Sequence, residues 1–525
     1  MDRKLSTQLQ WLSKQASCLQ GMKRGLEKES LRIDSDGWLA QTPHPAALGS
    51  ALTHPSITTD YSEALLELIT PPCDSIASAF GYLDEIHRYV YSQLGSERLW
   101  VNSMPCKLGP DAQIPLAQYG SSNIGRMKTL YRHGLGLRYG RRMQTIAGIH
   151  YNLSFPDSFW RAWQESNGNQ QSLADFRSKK SFDLIRNFQR RSWLLLYLLG
   201  ASPAVCGSFL AGREHGLDAM PSGTLYRQNA TSLRMSSLGY QNDAQADLKV
   251  SYNSLDEYVR DLDRAIRTPY APYEAMGVKQ NGVYQQLNGH ILQIENEYYG
   301  LIRPKRNGAS GERPTQSLAR AGVEYVELRC VDLDPFEPFG ISSESAHFLE
   351  VFALHCALAE SPVFSEADYQ RLPLNQQAMV ERGRDPALEI DTGHGFVRFR
   401  ELASRLFVEL HAVAEILDSA HVSKAYGAAV AAQLAKLEDP SLTGSAMVLQ
   451  AVDKWDGCFY NFAMDRAERA RDYFIQRPLA NERAAAYRDE AETSLHRQAD
   501  LEAAPAPAFD DFLQQYFADT PTGAA

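Results

Sequence analysis

Residues 24–33 read RGLEKESLRI, an extended stretch that holds two glutamates separated by a single residue. Successive side chains of a β-strand point to opposite faces, so Glu27 and Glu29 project to the same side with their backbones roughly 6–7 Å apart. Like charges on one face of a strand repel each other. Either water or a cation must therefore solvate this pair, and other segments of the chain decide which.

The composition is that of a globular protein with a large core. The chain has 525 residues, of which 44% are hydrophobic and 22% are charged, and on length alone it has room for more than one domain. Its formal net charge of −10 argues against a nucleic-acid partner, because nucleic-acid-binding proteins usually present a basic surface.

The cysteines and the apolar segments predict a cytoplasmic protein without a membrane partner. Seven cysteines occur without a CxxC pair, which argues against a structural zinc site and a disulfide framework. Residues 1–20 lack the apolar core of a signal peptide and predict a short amphipathic helix. The apolar run 193–199 is shorter than the ~20 residues of a membrane span, so it predicts a buried helix that enters a loop.

The pattern of the chain changes twice along its length. Residues 1–340 mix short β-type runs, Gly-rich turns and helices, whereas 341–480 show the three- and four-residue apolar spacing of helices. Residues 481–525 are rich in charge, alanine and proline, which predicts a surface tail that packs loosely or is partly disordered. No linker separates two domains, so we expect a single unit of the α+β class with a largely helical C-terminal portion.

The stretch QTIAGIHYNLSF, residues 144–155, predicts a strand with two different faces. Gln144, Ile146, His150 and Asn152 share one face, while the opposite face is largely apolar. A single histidine at such a position is more often a hydrogen-bonded core residue than a ligand. A face that combines Gln, His and Asn favours a site, because so many polar groups need partners when they are buried.

A second predicted strand, VEYVELRCVDLDPF at 323–336, places Glu327 and Arg329 side by side, opposite an apolar face. They form either a surface ion pair of little energetic value or a metal ligand beside a phosphate-binding guanidinium. The residues of this segment alone leave both interpretations open.

The segment TTDYSEALLELITPP, residues 58–72, has an ambiguous period. Asp60, Glu63 and Glu67 fit one solvated face of a helix. Alternatively LLELIT is a strand, in which Glu67 lies among apolar neighbours and needs an ionic or metal partner. The two interpretations are evenly balanced on this evidence.

A fourth segment, HILQIENEYYGLIRPKR at 290–306, joins acidic and basic residues. Alternation predicts a strand with Gln293, Glu295, Glu297 and Tyr299 on one face. The strand leads into a basic turn that contains Arg303, Lys305 and Arg306. A basic turn after an acidic strand suits a triphosphate with its metals, and it equally suits a solvated turn.

Familiar nucleotide and hydrolase motifs do not occur. The chain has no GxxxxGK[ST], no HExxH, no GxGxxG that opens a helix after a strand and no GxSxG. If the acidic strands hold a metal, its ligands are mainly oxygen atoms. Magnesium or manganese is then the expected ion, with a bound nucleotide supplying further oxygens.

Taken together, these segments resemble the glutamate–cysteine ligases (γ-glutamylcysteine synthetases) of the proteobacterial type. The resemblance runs from about residue 21 to residue 340 and rests on long strings in the same order, namely GLEKESLRIDSDGWLA, HPAALGSALTHPSITTDYSEALLELITPP, PLAQYGSSNIGRMKTLYRHGL, MQTIAGIHYNLSFP, ATSLRMSSLGYQN, LQIENEYYGLIRPKR and GVEYVELRCVDLDPF. It implies a glutamine-synthetase-like fold, in which a curved antiparallel sheet lines the active site and helices flank it. The whole chain is then one catalytic unit with 1–340 as its catalytic core.

The resemblance also implies an ATP-dependent carbon–nitrogen ligase. Such an enzyme phosphorylates the γ-carboxylate of L-glutamate with ATP and a divalent metal, normally Mg²⁺. The amine of L-cysteine then displaces the phosphate and gives γ-glutamylcysteine, the first intermediate of glutathione synthesis. Feedback inhibition by glutathione and a monomeric state are further expectations.

The resemblance implies that cations, rather than water alone, neutralise Glu27 and Glu29. It implies that the metals are held by Glu27, Glu29, Asp60, Glu67, His150 and Glu327, and it favours the strand interpretation of LLELIT. Phosphoryl transfer onto a carboxylate brings two anions together, so cations must neutralise the transferred group. We expect Arg329 at that group, Arg132 as a second cationic contact, and Arg303 with Lys305 at the polyphosphate.

For the amino acid substrates, the resemblance places three residues near glutamate: Gln144, Ile146 and Asn152. Arg234 is expected to contact a substrate carboxylate. The cysteine pocket is expected to consist of Tyr131, Tyr240 and Tyr299, with Tyr61 and Leu135 nearby. Aromatic walls of this kind suit a small thiol side chain and exclude water from the acyl phosphate.

Three other functions compete with this interpretation. A ligase of the same fold that uses another amine would need a different acceptor pocket. A guanidino phosphotransferase would transfer phosphate reversibly and form no amide. A non-catalytic nucleotide-binding protein would be expected to lack one of the six metal residues, all of which have suitable types here.

Overall fold

A computed structural model gives the structure of residues 3–105, 107–238, 245, 248–309 and 311–518. In these parts of the chain the strands are β1 Lys23–Ile33, β2 Ile57–Thr59, β3 Leu65–Ile69, β4 Arg98–Leu99, β5 Ile149–Ser154, β6 Ala204–Cys206, β7 Asp218–Ala219, β8 Thr224–Tyr226, β9 Lys279–Gln280, β10 Val283–Tyr284, β11 Ile302–Lys305, β12 Tyr325–Val331, β13 Glu389–Asp391 and β14 Phe396–Arg398.

The helices of the same parts surround these strands and dominate the C-terminal third, as the apolar spacing predicts. They are α1 Arg3–Ser13, α2 Ile76–Gln93, α3 Asn123–Tyr139, α4 Asp157–Ser166, α5 Leu173–Leu198, α6 Leu255–Ala265, α7 Ala271–Met276, α8 Pro314–Ala321, α9 Ser343–Leu358, α10 Glu366–Arg382, α11 Phe399–His421, α12 Ala425–Glu438, α13 Gly444–Asp453, α14 Phe459–Ile475, α15 Asn481–Ala503 and α16 Phe509–Ala518. The α+β class and the helical C-terminal portion are confirmed.

Seven strands form the main sheet, in the order β11-β12-β5-β1-β3-β2, with β4 pairing the C-terminal end of β1. Every pair of neighbours is antiparallel. The predicted strands at 24–33 and 323–336 are therefore confirmed. LLELIT is also a strand, which settles the ambiguity at Glu67.

The back face of this sheet is mainly apolar and covered by helices. Leu26, Tyr151 and Leu328 lie opposite one another on neighbouring strands and are at most 1% exposed. Burying a side chain of this kind stabilises the fold by about 1.5–3 kcal/mol relative to leaving it exposed. Helix α2 packs on β1 and β3, and α5 packs on β11 and β12. The front face of the sheet is thus left for polar residues.

One buried carboxylate from the helical layer anchors the back of the sheet. Glu350 of α9 accepts two hydrogen bonds from Arg24 of β1, at 2.8 and 3.0 Å. The hydroxyls of Tyr151 and Tyr426 each donate to the same carboxylate at 2.7 Å. Because charge-assisted bonds with fixed geometry tolerate little movement, this cluster holds β1 and β5 against the helices.

The predicted strand at 144–155 is shorter than expected. A 3₁₀-helix over Arg142–Thr145 precedes it, and the strand begins only at Ile149. The Thr145 hydroxyl donates to the Arg142 carbonyl at 2.6 Å, which closes this turn. Gln144 and Ile146 therefore do not share a strand face with His150.

The prediction of a strand over residues 290–299 is wrong. The segment folds as a loop with a 3₁₀ turn at Glu295–Glu297. The Glu297 carboxylate folds back and accepts hydrogen bonds from the Gln293 amide at 2.6 Å and from Arg138 at 3.0 Å. Arg303 and Lys305 lie on β11 rather than in a basic turn.

The C-terminal region is more regular than its composition suggests. Within 481–525, predicted as a surface tail that packs loosely or is partly disordered, residues 481–503 and 509–518 form the helices α15 and α16. The apolar run 193–199 lies at the end of α5 and leads into a loop, as predicted. Among the described residues, none of the helices combines the length and the apolar content that crossing a bilayer requires.

Candidate active site

The register of the main sheet brings the acidic side chains together. Glu27 of β1 lies opposite His150 of β5, and Glu29 lies opposite Glu67 of β3. Directly opposed residues share a face, with Cβ atoms about 4.5–5.5 Å apart. Glu327 of β12 joins the same face through its pairing with β5. Residues that are distant in sequence therefore meet at the centre of the sheet.

These side chains form two overlapping groups of ligand atoms that share His150. In one group atoms of Glu27, His150 and Glu327 lie within 4.8 Å of one another, and in the other atoms of Glu29, Glu67 and His150 do. His150 Nδ1 is 3.0 Å from Glu27 Oε2, and Nε2 is 3.7 Å from Glu29 Oε1. The imidazole thus lies between two sets of carboxylates.

Burial and mutual repulsion make this face electrostatically unfavourable on its own. Burial, with the neighbouring Glu27 and Asp60 carboxylates, holds the pKa of Glu67 well above its usual range. Burial also raises the pKa of Glu29. Both groups therefore resist ionisation unless positive charge is supplied.

The residues present fit divalent cations. Glu327 is 2% exposed, and its Oε2 atom has no hydrogen-bond partner in the described parts of the chain. An unsatisfied buried carboxylate oxygen is costly and calls for a ligand. A donor set of four carboxylates and one imidazole is typical of Mg²⁺ or Mn²⁺ sites.

Basic side chains flank one end of the carboxylate cluster. Arg329 Nη1 lies 3.2 Å from Glu327 Oε1, and Lys305 Nζ lies 3.5 Å from the same oxygen. Although burial alone raises it, the pKa of Glu327 is held well below its usual range by Lys305 and Arg329. Arg303 lies directly opposite Glu327 on β11 and donates to the Asn296 and Tyr298 carbonyls. Anionic groups of a ligand would meet both metals and cations here.

A cavity of about 490 Å³ lies over this face, within the size range of small-molecule sites. One side of helix α3 forms much of its wall. The α3 residues that line it recur at three- and four-residue spacing: Ile124, Met127, Lys128, Tyr131, Arg132, Leu135 and Tyr139. All six predicted metal residues line the same cavity.

Asp60 and Arg132 lie side by side at the edge of the metal cluster. Arg132 Nε donates to the Asp60 carbonyl, and its guanidinium lies 4.5 Å from the Tyr119 ring centroid. The Asp60 carboxylate belongs to neither ligand group and is 4.0 Å from Arg132 Nη2. These contacts fix the guanidinium of Arg132 in the cavity wall.

Most of the predicted substrate and phosphate residues line the cavity, namely Arg329, Arg132, Arg303, Lys305, Tyr61, Tyr131, Leu135, Gln144 and Tyr299. Burial raises the pKa of Tyr299 to about 12, so its hydroxyl is neutral at physiological pH. Its hydroxyl lies 3.1 Å from the sulfur of Met235. Tyr240 lies outside the described residues.

Three predicted residues lie behind the cavity wall instead. Asn152 donates to Glu27 Oε1 at 2.8 Å, and Arg234 donates to the Arg329 carbonyl at 2.9 Å. Ile146 is 1% exposed and belongs to the apolar core. A side chain at Gly148 would collide with the Arg234 guanidinium, so glycine permits this close approach.

Several cavity residues were not predicted from the sequence. They are Ile124, Met127, Lys128, Tyr139, Met143, Gln245, Ile294, Asn296, Gly311, Glu312, Pro314 and Tyr516. The helical period of α3 would have identified the first four, since they share a face with Arg132. Tyr516 comes from α16, within the segment predicted to be a loose tail, and no local signal marked it.

Comparisons with known proteins agree with this architecture. The family model for glutamate–cysteine ligase matches residues 9–379. A glutamate–cysteine ligase of Alcanivorax borkumensis is 52% identical over 513 residues, which cover 96% of this chain and 97% of the relative. A glutamate–cysteine ligase of Pseudomonas paraeruginosa is 49% identical over 492 residues, covering 94% and 93% of the two chains.

Solved structures give the same result. The glutamate–cysteine ligase of Francisella tularensis, in complex with AMP, superposes with a TM-score of 0.89 at 37% identity, covering 95% of this chain and 98% of that one. A bifunctional glutathione synthetase of Pasteurella multocida has a TM-score of 0.68 at 26% identity, covering 93% of this chain and 57% of that one. The expected glutamine-synthetase-like fold is confirmed. The chain therefore belongs to the glutamate–cysteine ligase family.

Proposed function

We propose that this protein joins the γ-carboxylate of L-glutamate to the amine of L-cysteine at the expense of ATP, as the first step of glutathione synthesis. The reaction passes through γ-glutamyl phosphate and releases ADP and phosphate. The observation that carries the proposal is the convergence of two carboxylate–imidazole groups with Arg329 and Lys305 in one cavity, in a chain of this family.

Mg²⁺, or Mn²⁺ in its place, is the ion that we assign to the cluster. Glu27 and Glu327 would hold one ion and Glu29 and Glu67 another, with His150 placed to ligate either of them and Asp60 at the edge. When bound, such ions would neutralise negative charge on the phosphate groups. The chain itself contributes ligands that are fixed by a paired sheet, so little reorganisation is needed at the moment of reaction.

The basic residues orient the transferred phosphoryl group. Arg329 lies 3.4 Å from His150 Nδ1, so its guanidinium reaches the region between the metal ligands and β11. We assign it to the transferring phosphoryl group, with Arg132 as a second cation on the wall formed by α3. Lys305 and Arg303 take the remaining phosphates. Together they hold two anions, the phosphoryl group and the γ-carboxylate, in reach of each other.

The amino acids occupy the part of the cavity that is lined by tyrosines. Gln144 and Tyr61 line the wall near the C-terminal end of α3, and we assign Gln144 to glutamate. Tyr131, Tyr299 and Leu135 form the cysteine pocket in this proposal, to which Tyr240 is also assigned. Their apolar rings exclude water and so protect the acyl phosphate from hydrolysis.

The predicted residues that lie behind the cavity wall position other site residues. Asn152 positions Glu27, and Arg234 supports the backbone of Arg329. The approach of Arg234 to Gly148 also places its charge near Glu29, where it favours the ionised carboxylate; the contact to a substrate carboxylate expected from the resemblance stays a proposal. Ile146 shapes the core beneath the glutamate site. We further propose that the chain acts as one monomeric catalytic unit in the cytoplasm, inhibited by glutathione.

An acceptor screen tests the function. With ATP and Mg²⁺, purified protein should release ADP only when glutamate and an amine are both present. Cysteine should be the best acceptor, and 2-aminobutyrate should work in its place. Equal ADP release without any acceptor would reject the ligase proposal. Reversible phosphate transfer to a guanidino compound, without amide formation, would favour the phosphotransferase instead.

A further inference from the structure

The last described helix reaches the active-site cavity. After α14 the chain runs across the surface beside the N-terminal part of the sheet, where the Ser50 amide donates to the Ser494 hydroxyl at 2.9 Å. The Ser121 amide donates to Glu502 at 2.9 Å just before α3. Asn123, at the start of α3, donates to the Pro507 carbonyl at 2.9 Å. This path delivers α16 to the N-terminal end of α3, and Tyr516 lines the cavity there.

Helix α16 is docked by both apolar and charged contacts. Phe509 and Leu513 are buried in a separate apolar cluster, which also contains Met127, Leu130, Leu287 and Ile294. The Arg126 guanidinium lies 4.1 Å from the centroid of the Phe509 ring. Asp510 accepts hydrogen bonds from Lys279 at 2.6 Å and from Tyr284 at 2.8 Å. The position of Tyr516 is therefore set by packing on both sides of its helix.

The two ends of the cavity differ in chemistry, because different residues of α3 line them. Ile124 and Met127, in the same apolar cluster as Tyr516, lie near its first turn. Arg132, beside Asp60 and the metal ligands, comes eight residues after Ile124, which is about 12 Å along a helix axis. Tyr139 lies at the far end. The end of the cavity near the first turn of α3 is thus mainly apolar, with Lys128 as its charged residue on α3, whereas Tyr139 and Gln144 line the other end.

The chemistry of the apolar end suits a flat aromatic ring better than an amino acid. Glutamate and cysteine carry charged ammonium and carboxylate groups, which an apolar wall leaves without partners. A purine has two apolar faces and a polar edge, so it gains from aromatic and aliphatic walls. Gly311, Glu312 and Pro314 also line the cavity, and a polar edge can face them. A nucleotide whose phosphates lie at the metals has its base at one end of the cavity.

We propose that Tyr516 of α16 forms the wall against which the adenine base of ATP lies, opposite the apolar side chains of Ile124 and Met127. This inference rests on the proposed function, because it needs ATP phosphates at the carboxylate cluster. It assigns nucleotide affinity to a helix outside the 9–379 range that the family model matches. Contacts between a base and an aromatic ring contribute about 1–3 kcal/mol each.

Substitution of Tyr516 tests the assignment through nucleotide binding. Tyr516→Ala should raise the KM for ATP and the Kd for ADP by about 5- to 150-fold, the equivalent of that contact energy. The KM values for glutamate and cysteine at saturating ATP should stay within about twofold. Tyr516→Phe keeps the ring and should resemble the wild type, as should Gln515→Ala on the exposed side of α16.

Inorganic tripolyphosphate separates a base contact from a structural effect, since it has phosphates but no base. Its inhibition constant against ATP should be equal in the wild type and in Tyr516→Ala. Equal weakening of tripolyphosphate and ADP would overturn the inference, as would a rise in the KM for glutamate or cysteine alone, or unchanged ADP binding. If Tyr516→Ala does not fold, Tyr516→Leu retains apolar volume and should show the same selective loss.

The inference and the proposed function fail in different ways. ADP binding is measured by calorimetry without any amino acid, so it does not depend on ligation. If the wild type forms no amide but Tyr516→Ala binds ADP more weakly than the wild type, the ligase function is rejected and the base contact is supported. If the wild type forms the amide and Tyr516→Ala binds ADP as tightly as the wild type, the base contact is rejected and the ligase function is supported.

Discussion

Buried carboxylates occur on both sides of the main sheet, and their surroundings are opposite in kind. Behind the sheet, Glu350 receives four hydrogen bonds from Arg24, Tyr151 and Tyr426. In front of it, Glu327 keeps a buried oxygen without a partner in the described parts of the chain, and Glu67 faces other carboxylates. The chain completes one site itself and leaves the other to be completed by a ligand.

The pKa directions express the same contrast. Burial would raise the pKa of Glu350, but Arg24 and the two tyrosine hydroxyls hold it below its usual value. Burial and like charges raise the pKa of Glu67 instead. A carboxylate with all its partners offsets much of its own desolvation cost, whereas an unsatisfied cluster lowers the stability of the fold and must be sustained by the remaining core. The carboxylates around Glu67 and Glu327 on the front face therefore indicate a ligand site, whereas Glu350 on the back face holds the sheet against the helices.

The largest expected effect is on catalysis. Glu327→Gln keeps the shape of the side chain but removes its charge, so kcat for γ-glutamylcysteine formation should fall by about a hundred- to a thousandfold or more. Glu438→Gln, an exposed change at the end of α12, is the control and should leave kcat unchanged. Near-normal turnover of folded Glu327→Gln would remove this residue from the metal site.

Glu350→Gln should act on stability instead. Removing one partner of a buried ion pair leaves Arg24 uncompensated and should lower the free energy of unfolding by about 3–5 kcal/mol. Tyr426→Phe removes one charge-assisted bond and should cost about 1.5–3 kcal/mol. Urea denaturation measures both. The contrast between the two faces would not hold if Glu350→Gln unfolded like the wild type while losing activity as Glu327→Gln does.

A smaller effect should appear in the pH dependence of the metal-free protein. The pKa of Glu67 in the fold lies above the 4.5 of an ordinary glutamate, because of burial and the nearby carboxylates. The folded state therefore binds more protons than the unfolded state between 4.5 and the raised pKa, and stability decreases as the pH rises through that window. Glu67→Gln should flatten this decrease and reduce the protons released when Mg²⁺ binds.

Denaturation at several pH values without Mg²⁺, together with proton release on Mg²⁺ addition in weakly buffered solution, measures this difference. Glu438→Gln again serves as the matched control. An unchanged pH slope together with unchanged proton release in Glu67→Gln would show that Glu67 is already ionised in the absence of metal.

Sequence reasoning identified the front face because strand alternation is a local property. The same-side placement of Glu27 and Glu29, and of Glu327 and Arg329, follows from the period of two and survives in the structure. Glu67 could not be resolved this way, since three acidic residues at helical spacing fit a helix equally well. Its strand pairing with β1 decides the matter, and that pairing is a tertiary contact.

The positions of the remaining site residues depend on tertiary contacts, which a short segment of sequence does not reveal. Residues 290–299 alternate like a strand, yet Glu297 instead bonds Arg138 and its own loop. The composition of 481–518 suggests a loose tail, but Phe509 and Leu513 find apolar partners on α3. The resemblance to known ligases supplied residue roles in the catalytic core, and it offered no comparable string for the C-terminal third.

The cross-strand register also constrains how the protein is made. Glu27 and Glu327 lie 300 positions apart in the chain, and they meet only after β12 has paired with β5. During synthesis on the ribosome, the first ion site is therefore incomplete until most of the chain has emerged. An ion at this first site cannot nucleate folding, because it stabilises only a sheet that β12 has already joined. The ligands of the second site, Glu29, Glu67 and His150, all lie within the first 150 residues, so it is binding at the first site that reports completion of the sheet.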